Sequence, residues 1–185
     1  MVQWMVALLL VATNALLFSV PTTQGLSVTF FDVGQGASIL IEGPTGVQIL
    51  VDAGVDASAM RELGKWLPFW DRTIDAVVAT HPDADHIGGL ADILERYEVA
   101  NIIEPGIGNT TRAWVSTVEA MEEEVLGGAR HTVARRGQRI VLGGGAYADV
   151  LFPNRDVTNI KDTNAGSIVL RVVYGKTAFM LTGDL

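Results

Sequence analysis

The sequence predicts a layered α/β domain, with sheet between helices, on three observations. Strand-like runs come in groups, helical stretches are interposed between them, and one apolar strand runs straight into a loop crowded with metal-ligating side chains. Periodicity alone leaves the strand order open.

The elements follow in order. Leu26 to Val33, Ser38 to Glu42 and Val47 to Asp52 read as strands, separated by the turns Gly34-Gln35-Gly36 and Gly43-Pro44-Thr45-Gly46. Ala57 to Leu67 reads as a short helix stopped by Pro68, and Ile74 to Thr80 as a mostly apolar strand. Leu90, Ile93, Leu94 and Tyr97 recur at helical spacing, which predicts an amphipathic helix over Gly88 to Tyr97. After a short strand, Asn101 to Pro105, a second helix is predicted over Arg112 to Leu126. Trp114, Val118, Met121 and Val125 share one face of it, and the run Glu122-Glu123-Glu124 reads as a solvated face. The remainder is β-rich: Thr132 to Ala134, Arg139 to Leu142, Ala146 to Phe152, Ser167 to Tyr174 and Thr177 to Thr182.

Ahead of these elements lies an apolar run, Val2 to Val20, followed by a polar linker, Pro21 to Gly25. As a helix the run spans about 28 Å at ~1.5 Å per residue, close to a bilayer's hydrocarbon core. No Lys or Arg precedes it and the first basic residue is Arg61, so it lacks the positive region of a secretory signal. It reads as an uncleaved membrane helix over residues 1–20, with a signal peptide or a buried core helix as alternatives. The folded domain is then expected over residues 26–185, anchored to the membrane and extracytoplasmic, or else secreted.

Composition excludes some chemistry. There are no cysteines, so disulfides and thiolate metal sites are absent. The formal net charge of -8 opposes a nonspecific electrostatic grip on nucleic acid. The one basic cluster, Arg135, Arg136 and Arg139, reads as a solvated turn.

The chemistry concentrates in His81-Pro82-Asp83-Ala84-Asp85-His86, which holds two of the chain's three histidines and two acids within six residues. It follows a buried strand and precedes a helix, where α/β proteins place their sites. A polar N-capping loop explains one acid there, but not four ligands together. Gly88 and Gly89 let the backbone pass close to it. Asp52, ending Ile49-Leu50-Val51-Asp52-Ala53-Gly54, reads either as an acceptor that orients the His81 loop or as a turn-forming residue before Gly54. Asp32 has the same two readings.

The loop resembles the His-x-His-x-Asp-His signature of the metallo-β-lactamase superfamily, with Asp83 in place of the second His. Asn164-Ala165-Gly166-Ser167 is similar to that superfamily's His-Thr-Pro-Gly-Ser segment, with Asn164 for its His, and Thr182-Gly183-Asp184 resembles its Thr-Gly-Asp motif. The Asp-for-His loop, Asp32-Val33-Gly34-Gln35-Gly36 and the Asn-bearing segment together resemble the ComEC-like branch, which imports DNA. The resemblance implies a four-layer αββα sandwich, incomplete at the C-terminus, and a metal-dependent hydrolase, with DNA as the implied partner and a phosphodiester as substrate. It implies two divalent metal ions, Zn²⁺ or Mn²⁺. His81, Asp83 and a weaker Asn164 would hold the first, Asp85 and His86 the second, and Asp184 would bridge. Replacing imidazole by carboxylate and amide hardens the first position, which makes Mn²⁺ or Mg²⁺ more competitive there. Asp85 is the residue expected to exchange a proton during turnover. Ala37 stands where the branch usually carries an acid, and a His-His-Gly-Ser segment of the family lies beyond Leu185. His131, at a strand start, is not read as its replacement. These departures give the expectation of a fragment of a longer product with feeble activity, and keep two alternatives open: a hydrolase of another ester, or a non-catalytic remnant serving as an interaction module.

Overall fold

A computed structural model describes residues 25–185. The apolar run and most of the linker read from the sequence lie outside the described residues. Among those described, no helix is long and apolar enough to cross a membrane.

Twelve strands make the framework of the described residues: β1 (Ser27–Phe30), β2 (Ile39–Glu42), β3 (Gln48–Val51), β4 (Thr73–Ile74), β5 (Ala76–Val78), β6 (Glu98–Val99), β7 (Asn101–Glu104), β8 (Arg130–Val133), β9 (Arg139–Gly143), β10 (Ala146–Phe152), β11 (Val169–Tyr174) and β12 (Thr177–Leu181). One sheet runs β1-β2-β3-β5-β7-β8 and a second runs β12-β11-β10-β9. In the first, β1 and β2 are antiparallel, as are β2 and β3, and the rest pair in parallel. Strands β1, β3, β5, β7 and β8 therefore all point the same way. Their C-terminal ends form one rim, where α/β sheets place sites.

The helices are α1 (Ser58–Trp66), α2 (Ala84–Ile87), α3 (Leu90–Leu94) and α4 (Arg112–Gly127). They cover one face of the first sheet. Leu40, Leu50, Val77 and Ile102 of that face pack with Leu63, Ile87, Leu90, Ile93 and Met121. The other face, with Ile41, Ile49, Val51 and Val78, packs against Leu142, Ala148, Val150, Leu170 and Val172 of the second sheet. Alternation along β10 turns Ala146, Ala148 and Val150 inward and leaves Tyr147 and Asp149 on the outer face. Arg139 spans both, bonding Asp149 and lying over the Tyr147 ring. The layers are helix, sheet, sheet. The fourth, helical layer expected from the family resemblance is not among the described residues.

Several elements differ from the sequence expectation. The strand Ile74 to Thr80 is broken: β4 pairs with β6, and Asp75 turns its carboxylate to the Gln48 backbone N–H before β5 begins. The helix expected over Gly88 to Tyr97 is only the short α3, and a separate one-turn helix, α2, precedes it inside the ligand motif, at Ala84. Helix α4 matches its expectation and is capped by Thr111, whose hydroxyl accepts from the Trp114 N–H. Its apolar face is less packed than expected, because Trp114, Val118, Met121 and Val125 line a cavity of about 590 Å³. Glu124 is not solvated throughout, since it accepts from the Val99 N–H.

Leu50 sits at the centre of the helix-facing core with no exposed surface. Leu50→Ala is expected to cost about 2–5 kcal/mol of stability, by lost burial plus the cavity left behind. Urea unfolding measures this, and a change under ~1 kcal/mol is incompatible with the packing described.

Candidate metal centre

The site forms where the ends of β3 and β5 meet the turn after β12. The segment after β3 is stitched to the motif by backbone bonds: the Ala53 N–H donates to the His86 carbonyl, the Gly89 N–H donates to the Gly54 carbonyl, and Gly54 bridges Ile87. A Cβ on Gly88 would lie 2.3 Å from the Val55 carbonyl oxygen and one on Gly89 2.3 Å from that of Asp56. These glycines therefore admit the post-β3 segment rather than the centre itself.

Asp52 is the pivot. It is 1% exposed and adopts φ 58°, a left-handed conformation that Asp tolerates better than most residues. Its carboxylate accepts from the Thr80 N–H at 2.8 Å, the Thr80 hydroxyl at 2.7 Å and His86 Nδ1 at 2.7 Å. The Thr80 hydroxyl spends its proton on Asp52, so its oxygen accepts from His81 Nδ1, 3.0 Å away. Both histidines thus carry their proton on Nδ1 and present an Nε2 lone pair.

Those lone pairs converge. His81, His86 and Asp184 each offer a ligand atom, and the three atoms lie within 4.8 Å of one another. His86 Nε2 is 3.1 Å from Asp184 Oδ1, and the two rings are 4.2 Å apart at their centroids. Asp184 is seated by its turn. Its N–H donates to the Ser167 hydroxyl, and Gly183, at φ +52°, lies so close to Ser167 and Thr80 that a Cβ there would approach them to about 3 Å.

The remaining sequence candidates are placed as follows. Asp83 Oδ2 lies 3.7 Å from His81 Nε2, while its Oδ1 accepts from the Thr163 hydroxyl and the Asn109 side chain. Asn164 occupies a 3₁₀ turn, Asn164–Gly166. Asp85 is half-buried and shares a cleft of about 300 Å³ with Asp52, Thr80, His86 and Asp184. Asp32 is exposed and makes no hydrogen bond or ion pair with the motif among the described residues. Gly36 makes that turn's approach instead, packing on the Asp85 backbone. His131 is on edge strand β8, paired with Glu104 at 3.2 Å. Of the basic cluster, Arg135 bonds the Pro105 and Ala134 carbonyls and Arg139 bonds Asp149, which leaves little of it for phosphate. Thr80, Asn109 and Thr163 were not legible as site residues, and Ser167 only as part of the Asn164-Ala165-Gly166-Ser167 segment. Thr80, directly before the motif, is the one that position alone could have flagged.

The electrostatics separate the two imidazoles. Burial, then the neighbouring His86, hold His81 below its ordinary pKa despite Asp52, Asp83 and Asp184. Burial also opposes the charged form of His86, but the Asp52 hydrogen bond and the charges of Asp52, Asp184 and Asp85 outweigh it and raise its pKa. Two buried polar atoms, His81 Nε2 and Asn164 Oδ1, have no hydrogen-bond partner. An unsatisfied buried group costs about 1–3 kcal/mol, so native structures seldom leave one without a reason. Imidazole lone pairs and carboxylates converging here are a donor set for a borderline or hard divalent cation.

The Metallo-beta-lactamase superfamily matches residues 31–185 of the chain. Competence protein ComA of Neisseria gonorrhoeae is 33% identical over 168 residues, 90% of this chain and 21% of that protein. Recombination protein 2 of Haemophilus influenzae is 30% identical over 182 residues, 96% of this chain and 20% of that protein. The chain thus spans about a fifth of the length of these relatives. A motif mutant of a metallo-β-lactamase from Cronobacter sakazakii shares the fold, with TM-score 0.54 and 21% identity over 83% of this chain and 58% of that one. The chain belongs to the metallo-β-lactamase superfamily, and along nearly all of its length it is similar to part of these competence and recombination proteins.

Proposed function

We propose that this domain hydrolyses phosphodiesters, as a nuclease acting on DNA during its uptake, with two divalent ions, Zn²⁺ or Mn²⁺. The observation that supports a metal centre most directly is the orphaned buried acceptor His81 Nε2, converging with His86 and Asp184 within 4.8 Å. His81, Asp83 and Asn164 would hold one ion, Asp85 and His86 the other, and Asp184 would lie between them. Bound there, divalent ions supply Lewis acidity and a water of lowered pKa. The chain's own residues do the rest. Asp52 fixes both imidazoles in the ligating tautomer, Thr163 and Asn109 orient Asp83, and Asp85 accepts and returns a proton beside the phosphate. The DNA part is supported by the competence relatives. The net charge of -8 and the engaged arginines favour a second reading, an ester other than DNA, unless other segments bring the basic surface.

The test is metal content and turnover together. His81→Ala and His86→Ala are each expected to lose bound metal by elemental analysis, with native circular dichroism. Hydrolysis of a generic phosphodiester should fall at least roughly 100-fold, since changes behind the ligands alone already reach that. Unchanged stoichiometry in both variants sinks the ligand assignment. Preference for a carboxylic ester over single-stranded DNA by the unaltered chain selects the second reading.

A further inference from the structure

The loop that follows α1 carries a cluster of apolar surface that the metal centre does not use. Phe69 is 80% exposed, Trp66 53% and Trp70 49%. The Phe69 and Trp70 rings pack edge to face at 4.7 Å. Buried Leu67 and the bond from the Asp71 N–H to the Pro68 carbonyl hold the loop in this shape. Clustered exposed aromatics mark an interaction surface, and Trp in particular favours the membrane–water boundary.

Strand polarity says where this surface lies. Ser27 opens β1 opposite Glu42, Glu42 lies opposite Gln48, and the Gln48 side chain donates to Asp71, the residue after Trp70. The chain therefore enters the sheet about 10 Å, two strand spacings, from Gln48 and the loop it holds. Both lie at the rim opposite the metal centre, since β1, β3 and β5 run the same way. The preceding chain has no charged side chain before Asp32, and Val2 to Val20 is the apolar run. If that run lies in a bilayer, the five residues Pro21 to Gly25 reach at most roughly 17 Å. The Ser27 end of the sheet, with its aromatic loop, is then held at the lipid surface.

We propose that Trp66, Phe69 and Trp70 seat on the bilayer surface and turn the metal centre away from it. The proposal rests on insertion of residues 2–20 and not on the identity of the substrate. Lys65 is paired with Glu62, and Asp71 adjoins Arg72, so the contact is apolar rather than electrostatic and insensitive to salt.

The chain has no cysteine, so Phe69→Cys and Thr110→Cys each introduce a single labelling site, at opposite rims. The full 185-residue chain is reconstituted in phosphatidylcholine vesicles containing a doxyl-labelled phospholipid, with an environment-sensitive fluorophore on the thiol. Quenching is expected to be at least roughly threefold stronger at position 69 than at 110, as for a group seated 5–10 Å into the interface, and unchanged between low and high salt. Equal quenching, stronger quenching at 110, or failure of the chain to associate with vesicles overturns the proposal. So does a concentration-dependent change at 69 without lipid, which assigns the surface to a second copy. Metal content, measured in parallel, keeps this outcome separate from that of the hydrolase reading.

Discussion

Asp52→Ala is expected to remove about 2–6 kcal/mol of stability, a large share of the roughly 5–15 kcal/mol typical of a domain. The alanine leaves the Thr80 N–H and His86 Nδ1 without their acceptor, in residues that are 1% and 3% exposed. Each stranded donor costs about 1–3 kcal/mol, and the left-handed backbone at φ 58° suits alanine less than aspartate. Urea unfolding reads the loss. Asp52→Asn separates the folding role from the site role. It keeps the volume and tolerates the backbone, but its amide turns a donor toward groups that are themselves donors. That variant is expected to fold and to bind Zn²⁺ roughly 10–100-fold more weakly, because His86 no longer has its Nδ1 proton pinned. Calorimetric titration measures it. Alanine and asparagine variants that both match the parent in stability and affinity would show that the network is incidental.

The second large effect is expected at Gly36. A Cβ there would lie 1.6 Å from the Asp85 carbonyl oxygen and 2.4 Å from its carbon, on a backbone at φ +75°. No side-chain rotation relieves a clash with backbone, so either the turn or the motif helix moves by more than an ångström. Catalytic groups must hold position to about 0.5 Å, and a shift near 1 Å costs on the order of 100-fold in rate. Gly36→Ala is therefore expected to lose about 100-fold in turnover. Gly34→Ala is the control, since Gly34 has a similar φ of +78° but nothing within 4 Å of an added Cβ. It bears only the left-handed strain of about 1–2 kcal/mol and keeps its rate. Comparable turnover in the two variants would falsify the packing role of Gly36.

What the sequence made legible was what repeats or clusters. The 3.6-residue recurrence along Arg112 to Leu126 and the alternation along Ala146 to Phe152 are local, and both elements stand close to where the pattern put them. The ligand motif was legible because two histidines and two acids rarely fall within six residues by accident. The start of α2 at Ala84 was hidden because Asp85 and His86 were read as loop ligands, while helical spacing gave a signal only from Leu90 onward. The break at Asp75 was masked by flanking apolar residues, and its cause, the Gln48 N–H, lies 27 positions away. Asn109 and Thr163 reach Asp83 from 26 and 80 positions away, and no local pattern encodes such partners. Asp52 showed two possible roles in sequence, and the structure joins them: the same residue makes the tight turn and holds the histidines.

The spread of the centre along the chain bears on how it acquires its ions. His81 and His86 are five positions apart, while Asn164 and Asp184 join them from far downstream. During synthesis, at ~5–20 residues per second, the motif emerges seconds before those partners. In that interval it would be a flexible chelating peptide, and the divalent order of affinity, with copper ahead of zinc and manganese last, would govern what it takes up. Discrimination by shape and hardness begins only when the Thr182–Asp184 turn docks on Thr80 and Ser167. On the proposed metal assignment, the closing of the second sheet over the first would be the step at which a transient, unselective chelator becomes a centre with a preference.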